Sequence, residues 1–172
     1  MKLRLLPSML LLLATFGCGY ALVGKTTNLP EDVRNVFVQT LENRTTRAQV
    51  DQILTRAIAD EFVTRQRFNV VPDRGGADAV LSGAVTNFRV RPVTFGGDGR
   101  ATEYEILISA SMDFRRTDDD DVVLWSNPSY LFREIYELDV NTANFIDTED
   151  QAIIEVAAKF AETMVIDLLE GF

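Results

Sequence analysis

The sequence predicts an α+β domain, a two-layer sandwich with two helices packed on one face of a mixed, mostly antiparallel β-sheet. Three observations carry this. Two segments, 46–66 and 148–170, repeat apolar residues at helical spacing. Elsewhere, runs such as Tyr104 to Phe114 alternate apolar and polar residues at the period of a half-buried strand. The turns between these runs are rich in glycine, aspartate and proline. Elements that are apolar on one face only must bury those faces against each other, which places both helices on one side of the sheet.

Asp32 to Leu41 opens the sheet. Val33, Asn35 and Phe37 alternate with Arg34, Val36 and Val38, which is apolar enough to bury one face. Glu42–Asn43–Arg44–Thr45 reads as a polar turn. Thr46 and Gln49 then have capping-box spacing and are expected to satisfy the first free amides of a helix over 46–66. Its buried stripe is Val50, Ile53, Leu54, Ala57, Ile58 and Phe62, with Asp51, Arg56, Asp60 and Arg65 turned away.

Phe68 to Val71 is a short strand, stopped by Pro72 and the turn Asp73–Arg74–Gly75–Gly76. Ala79 to Phe95 is a long strand. Pro92 has no N–H to give a ladder, so the far end of that strand is expected at an edge or a bulge. Gly96 to Gly99 forms a hairpin tip, and the strand 104–114 returns from it. A second hairpin at Asp118–Asp121 leads to Val122–Trp125, and after Asn127–Pro128 comes a further strand-like stretch, Tyr130 to Leu138.

The last helix has capping-box spacing at Thr148–Gln151. Its stripe is Ile153, Val156, Ala157, Phe160, Met164, Val165 and Leu168, and Gly171 is its expected stop.

Ahead of this single domain, residues 1–17 read as a secretory signal. Lys2 and Arg4 supply its positive start, and the apolar run Leu5 to Phe16 is shorter than the roughly 20 residues that span a bilayer. The chain's one cysteine, Cys18, stands at the expected cleavage point between Gly17 and Gly19. This arrangement predicts a lipoprotein signal, with Cys18 modified by diacylglycerol and the mature domain running over 18–172. One acyl chain binds a membrane marginally, whereas two or three anchor stably. Gly19 is not acidic, so outer-membrane residence is expected. Losing Lys2 and Arg4 with the signal takes the net charge from −9 to −11.

Composition narrows the chemistry. No histidine is present, which removes Ser–His–Asp and Cys–His catalysis. A single cysteine excludes internal disulfides and thiolate zinc sites. The negative charge argues against a nucleic-acid partner, because such surfaces neutralise phosphates with Lys and Arg. No metal or other cofactor is expected. Asp118 to Asp121 lack the alternating oxygens and the glycine of a calcium loop and read as a solvated turn. Glu103, Glu105, Asp113, Glu134 and Glu137 lie on or near strands, but nothing marks two of them as an acid–base pair. The chain is therefore not expected to be an enzyme.

Arginines are the remaining candidates. Arg89 and Arg91 project to the same side of their strand, Arg100 follows the hairpin tip, and Arg115, Arg116 and Arg133 stand near strand ends. Guanidinium groups clamp phosphates bidentately. The same residues also serve simply to solubilise a sheet face or to pair with carboxylates. Trp125 reads as core.

The mature chain resembles the LptE family of lipopolysaccharide-assembly lipoproteins. The likeness is carried by Cys18–Gly19–Tyr20, a short segment to Leu29–Pro30, the strand VRNVFVQTLEN, a helix, the FNVVPD strand–turn and AVLSGAVTNF. The resemblance implies an α/β domain lodged as a plug inside the LptD β-barrel, where it helps that barrel fold and assists delivery of lipopolysaccharide to the outer leaflet. Its implied partners are the LptD-like barrel, lipopolysaccharide and, through the lipid anchor, the outer membrane. The domain would stand on the periplasmic side or inside the barrel lumen. On that account Arg89, Arg91 and Arg100 are the phosphate contacts. The alternative is a stand-alone lipoprotein that binds a lipid or cell-wall ligand in a pocket between sheet and helices.

Overall fold

The computed structural model describes residues 29–118, 122–137 and 145–171. The signal segment, Cys18, the Cys18–Gly19–Tyr20 start, Asp119 to Asp121 and Leu138 lie outside the described residues.

Among the described residues, six strands and two helices follow one another as β1 (Asn35–Val38), β2 (Glu42–Asn43), α1 (Val50–Thr64), β3 (Asn69–Val70), β4 (Ala79–Phe95), β5 (Ala101–Arg116), β6 (Val123–Glu137) and α2 (Phe145–Glu170). The sheet order is β3-β1-β4-β5-β6, and β2 also pairs with β4. The short pairings β1–β3, β1–β4 and β2–β4 are parallel. The long ladders β4–β5 and β5–β6 are antiparallel and make up most of the sheet. The expected α+β architecture is therefore the one observed.

Both helical stripes enter one core with the inward residues of the sheet. Val50, Leu54, Ile58 and Phe62 of α1 are buried, as are all seven expected residues of α2 from Ile153 to Leu168. They meet Leu81 and Val85 of β4 and the even-numbered row Ile106, Ile108, Ala110, Met112 and Phe114 of β5. Phe62 stacks on Phe114 at 6.2 Å and stands edge-on to Phe68 at 5.3 Å. Phe160 joins α2 to β6 through edge contacts with Tyr130 and Phe132 at 5.4 and 5.8 Å. Aromatic pairs of this geometry add about 0.5–1.5 kcal/mol beyond the area they bury.

Neither capping box forms the start of its helix. Thr46 and Gln49 precede α1, which begins at Val50 behind a left-handed Gln49 with φ 63° and no side-chain cap. Asn43 organises the turn ahead of the helix. Its Oδ1 accepts from the Thr45 N–H and hydroxyl, and its Nδ2 donates to the Arg47 carbonyl at 2.8 Å. Glu42–Asn43, expected as a turn, is a two-residue strand beside Ala84 and Val85, and the Arg44 N–H donates to the Val85 carbonyl at 2.9 Å. Thr148 lies inside α2, which begins at Phe145. Gly171 does end α2: it adopts φ 74° and its N–H returns to the Asp167 carbonyl.

Proline had opposite consequences at two places. Pro92 of β4 sits beside a register shift, and past Val85 the other edge of β4 has no partner strand among the described residues, so the expected edge and bulge are both present. Pro128 does not divide β6 in two. The ladder slips between Ala110 and Met112 opposite it and continues, because β6 is an edge strand and the missing N–H falls at a bulge.

A single carboxylate ties the entry strand to the sheet. Asp78 Oδ2 accepts from the backbone N–H groups of Arg34 and Asn35 at 3.0 and 2.7 Å. Asp78→Ala is expected to lower stability by about 1–3 kcal/mol, since two donors lose a charged acceptor. Asp78→Asn, which keeps one oxygen there, should recover part of the loss. Urea midpoints of the two variants check this, and equal midpoints for Asp78→Ala and the unmodified chain would refute it.

Candidate functional site

The helices cover one face of the sheet and leave the other open. On β5 the odd-numbered residues point to the open face, since the even-numbered row is buried beneath the helices. Directly opposed residues of antiparallel strands share a face. Arg91 faces Glu105 and Arg89 faces Leu107 across β4–β5. From β6, Ile135 faces Glu105, Arg133 faces Leu107 and Leu131 faces Ser109. Three arginines from two outer strands are thus gathered around the middle strand.

Glu105 is the centre of this cluster. It is only 5% exposed, and the Arg91 Nε donates to its Oε1 at 2.7 Å. The Arg133 Nε stands 3.3 Å from its Oε2. The hydrogen bond from Arg91 and the charge of Arg133 outweigh desolvation and hold the carboxyl below its ordinary value of 4.5. Arg89 is exposed and has no side-chain partner among the described residues. The face is also apolar: Leu131 is 61% and Ile135 54% exposed. Toward the hairpin it turns acidic, where Glu103 opposes Glu137 and accepts from the Thr94 hydroxyl at 2.6 Å.

The depressed Glu105 value has a sign that can be tested. The unfolded chain takes up this proton near pH 4.5 and the folded chain only at lower pH. The carboxylate's contribution to stability is therefore complete above about pH 4.5 and is lost as the pH falls through the lowered folded value. Melting temperatures of the unmodified chain and Glu105→Gln should differ at pH 7 and converge toward pH 3. A gap that stays constant would contradict this.

The other candidates lie elsewhere. Arg100 is at the hairpin tip, with its side chain 81% exposed and its Nε 3.9 Å from Asp98 Oδ2. The tip itself closes by the Gly96 N–H donating to the Arg100 carbonyl, with Gly99 at φ 79°. Arg115 stands 3.7 Å from Asp113. Arg116 bonds both Asp32 and Asp118, which lowers the Asp32 carboxyl and occupies the first residue of the aspartate turn. Glu134 pairs with Lys159 of α2 on the covered face, so it is separated from Glu105 by the sheet. Trp125 is buried, as expected, although its indole N–H has no partner among the described residues.

Arg133 and Glu105 were visible in the sequence only as a strand-end cation and one of several carboxylates. Their meeting depends on the β5–β6 register, which no local pattern encodes. A cavity of about 350 Å³ lies not between sheet and helices but between α1 and α2, lined by Gln49, Gln52, Ile53, Arg56, Asp60 and Ile154 among others. No helix of the described residues is long and apolar enough to cross a membrane.

A family model described as LptE, lipopolysaccharide-assembly, matches residues 33–168. No curated protein matches the chain. Among solved structures, a protein of Caulobacter crescentus described as a lipoprotein is 17% identical, with a TM-score of 0.50 over 76% of this chain and 88% of its own. A hypothetical protein of Chlamydia trachomatis is 7% identical, with a TM-score of 0.53 over 81% of this chain and 97% of its own. At such identities these likenesses show the fold alone.

Proposed function

Since the chain belongs to the LptE family of lipopolysaccharide-assembly proteins, we propose that it is an outer-membrane lipoprotein, anchored through Cys18, that plugs an LptD-like β-barrel. In that place it aids barrel assembly and the delivery of lipopolysaccharide to the outer leaflet. It acts by binding and shape and not as an enzyme.

The observation that carries this reading beyond family membership is the open sheet face. In a chain of net charge −9, one surface gathers Arg89, Arg91 and Arg133 around Glu105 and beside the exposed Leu131 and Ile135, with Glu103 and Glu137 toward its hairpin end. Cations next to apolar side chains complement an anionic amphiphile, whose phosphates and acyl chains are neighbours in the same way. Arg89 and Arg91, and Arg100 from the hairpin tip, are the proposed phosphate contacts, and Arg133 joins them. The polar strand edges and loops also suit a barrel lumen, which is polar.

The test is capture of the tagged full-length protein from gently solubilised membranes, with the bound proteins identified by mass. A large β-barrel recovered at one to one is expected. Recovery of the lipoprotein alone would overturn the plug. The groove between α1 and α2 favours a second reading, a stand-alone lipoprotein holding a lipid or cell-wall ligand there, which recovery without a barrel would bring forward.

A further inference from the structure

Glu105 is the one charged side chain that is buried among the described residues, and it lies in a face that otherwise exposes its charges. Both arginines approach it by the same atom, Nε, one on each carboxylate oxygen. A guanidinium carries five N–H donors, one at Nε and four at the terminal nitrogens. Arg91 spends its Nε–H on the carboxylate and Arg133 stands beside it as an ion pair, so both keep terminal donors on side chains that remain 57% and 58% exposed, and neither has another partner among the described residues.

We propose that Glu105 is a positioning residue that holds Arg91 and Arg133 as a preformed pair of guanidinium forks for one phosphomonoester group. The proposal rests on the reading above that this face meets a phosphorylated lipid, and adds to it the residue that builds the site. Two adjacent cations on long side chains repel and spread over many rotamers. A shared carboxylate anchored in the middle strand removes both costs before the ligand arrives. The charges also match. Toward the hairpin the face is acidic, at Glu103 and Glu137, but around Glu105 two arginines and one glutamate sum to +1, and the unpartnered Arg89 makes +2. That balances a phosphomonoester of about −1.5 to −2.

The sign of one substitution separates positioning from simple charge. Glu105→Gln makes the face more cationic, so Coulomb attraction alone would tighten anion binding. Positioning requires that it weaken. The full-length protein in detergent is titrated separately with purified lipopolysaccharide and with inorganic phosphate. The side-chain Nε–H signals of Arg91 and Arg133 are followed by nitrogen NMR.

Glu105→Gln should remain folded at pH 7 with the lowered melting temperature predicted above, bind lipopolysaccharide at least fivefold more weakly, and lose the distinct Nε–H signal that Arg91 owes to the carboxylate. Binding that is unchanged or tighter overturns the proposal. Unmodified protein that ignores lipopolysaccharide but shifts both signals with phosphate, a response absent in Glu105→Gln, sinks the lipid reading and upholds the positioning. Signals that respond to neither ligand defeat both. If Glu105→Gln does not fold, Arg133→Lys replaces it as the probe, keeping the charge and losing the fork; it should weaken lipopolysaccharide binding by a similar factor, and unaltered binding overturns the proposal.

Discussion

Gly83→Val is expected to destabilise the domain by at least about 3 kcal/mol, a large part of the roughly 5–15 kcal/mol that holds a domain of this size together. Gly83 pairs with Met112 in the β4–β5 ladder, where Met112 is fully buried. A Cβ built on Gly83 runs into the Ser111 carbonyl oxygen and comes within 2.7 Å of Met112 Sδ and 3.2 Å of its Cα. A flexible thioether can swing aside, but the two backbone atoms can retreat only by opening the longest ladder of the sheet. Gly83→Ala already carries the offending atom and should cost about 2 kcal/mol, with valine worse. Urea unfolding of both variants decides the matter. A midpoint for Gly83→Val within error of the unmodified chain would mean that β4 and β5 can part there at little cost. Valine is an excellent strand residue, so propensity predicts the opposite sign.

The second large effect concerns ligand rather than stability. Reversing Arg89 and Arg91 together to glutamate should reduce capture of lipopolysaccharide by about tenfold or more, since charge-assisted contacts to phosphate are lost and like charges replace them. Arg91 also partners Glu105, so part of the double variant's loss comes through the fold. Arg89→Glu alone avoids that complication, because Arg89 is exposed and has no side-chain partner among the described residues. It should melt as the unmodified chain does and still bind several-fold more weakly at low salt, with the difference shrinking as salt screens the face. Unchanged lipopolysaccharide binding in both variants would remove Arg89 and Arg91 from the site.

The helices show which kinds of information a sequence carries. The seven apolar positions of α2 and the core of the α1 stripe were readable because a helix repeats every 3.6 residues, whatever its neighbours do. The helix starts were not. Thr46 and Thr148 each have the right residue three positions on, yet α1 begins after a turn organised by Asn43, and α2 extends past Thr148 to Phe145. The spacing of a capping box states only that a cap can form there. Near α1 the turn is organised by Asn43 bonding Thr45 and the Arg47 carbonyl, and the chain enters the helix through a left-handed Gln49 instead of a capped threonine.

Strands divide in the same way. The alternation from Tyr104 to Phe114 and the limits of β4 at Ala79 and Phe95 were legible, because pleating fixes a period of two within one strand. The continuity of β6 through Pro128 was not, since a proline is tolerated or not according to whether its missing N–H would have faced a neighbour.

By itself, then, the sequence determined the helices and the long strands β4 and β5, their apolar faces and the two-layer arrangement that those faces require, but neither β2 nor the unbroken run of β6. It also determined that Arg89 and Arg91 share a side of one strand. The tertiary structure alone decided the strand order, the registers and hence the company those arginines keep. Local periodicity says which way a side chain points. Only non-local pairing says what stands opposite, and it is pairing that sets Arg91 and Arg133, distant in the chain, on the two oxygens of one buried glutamate.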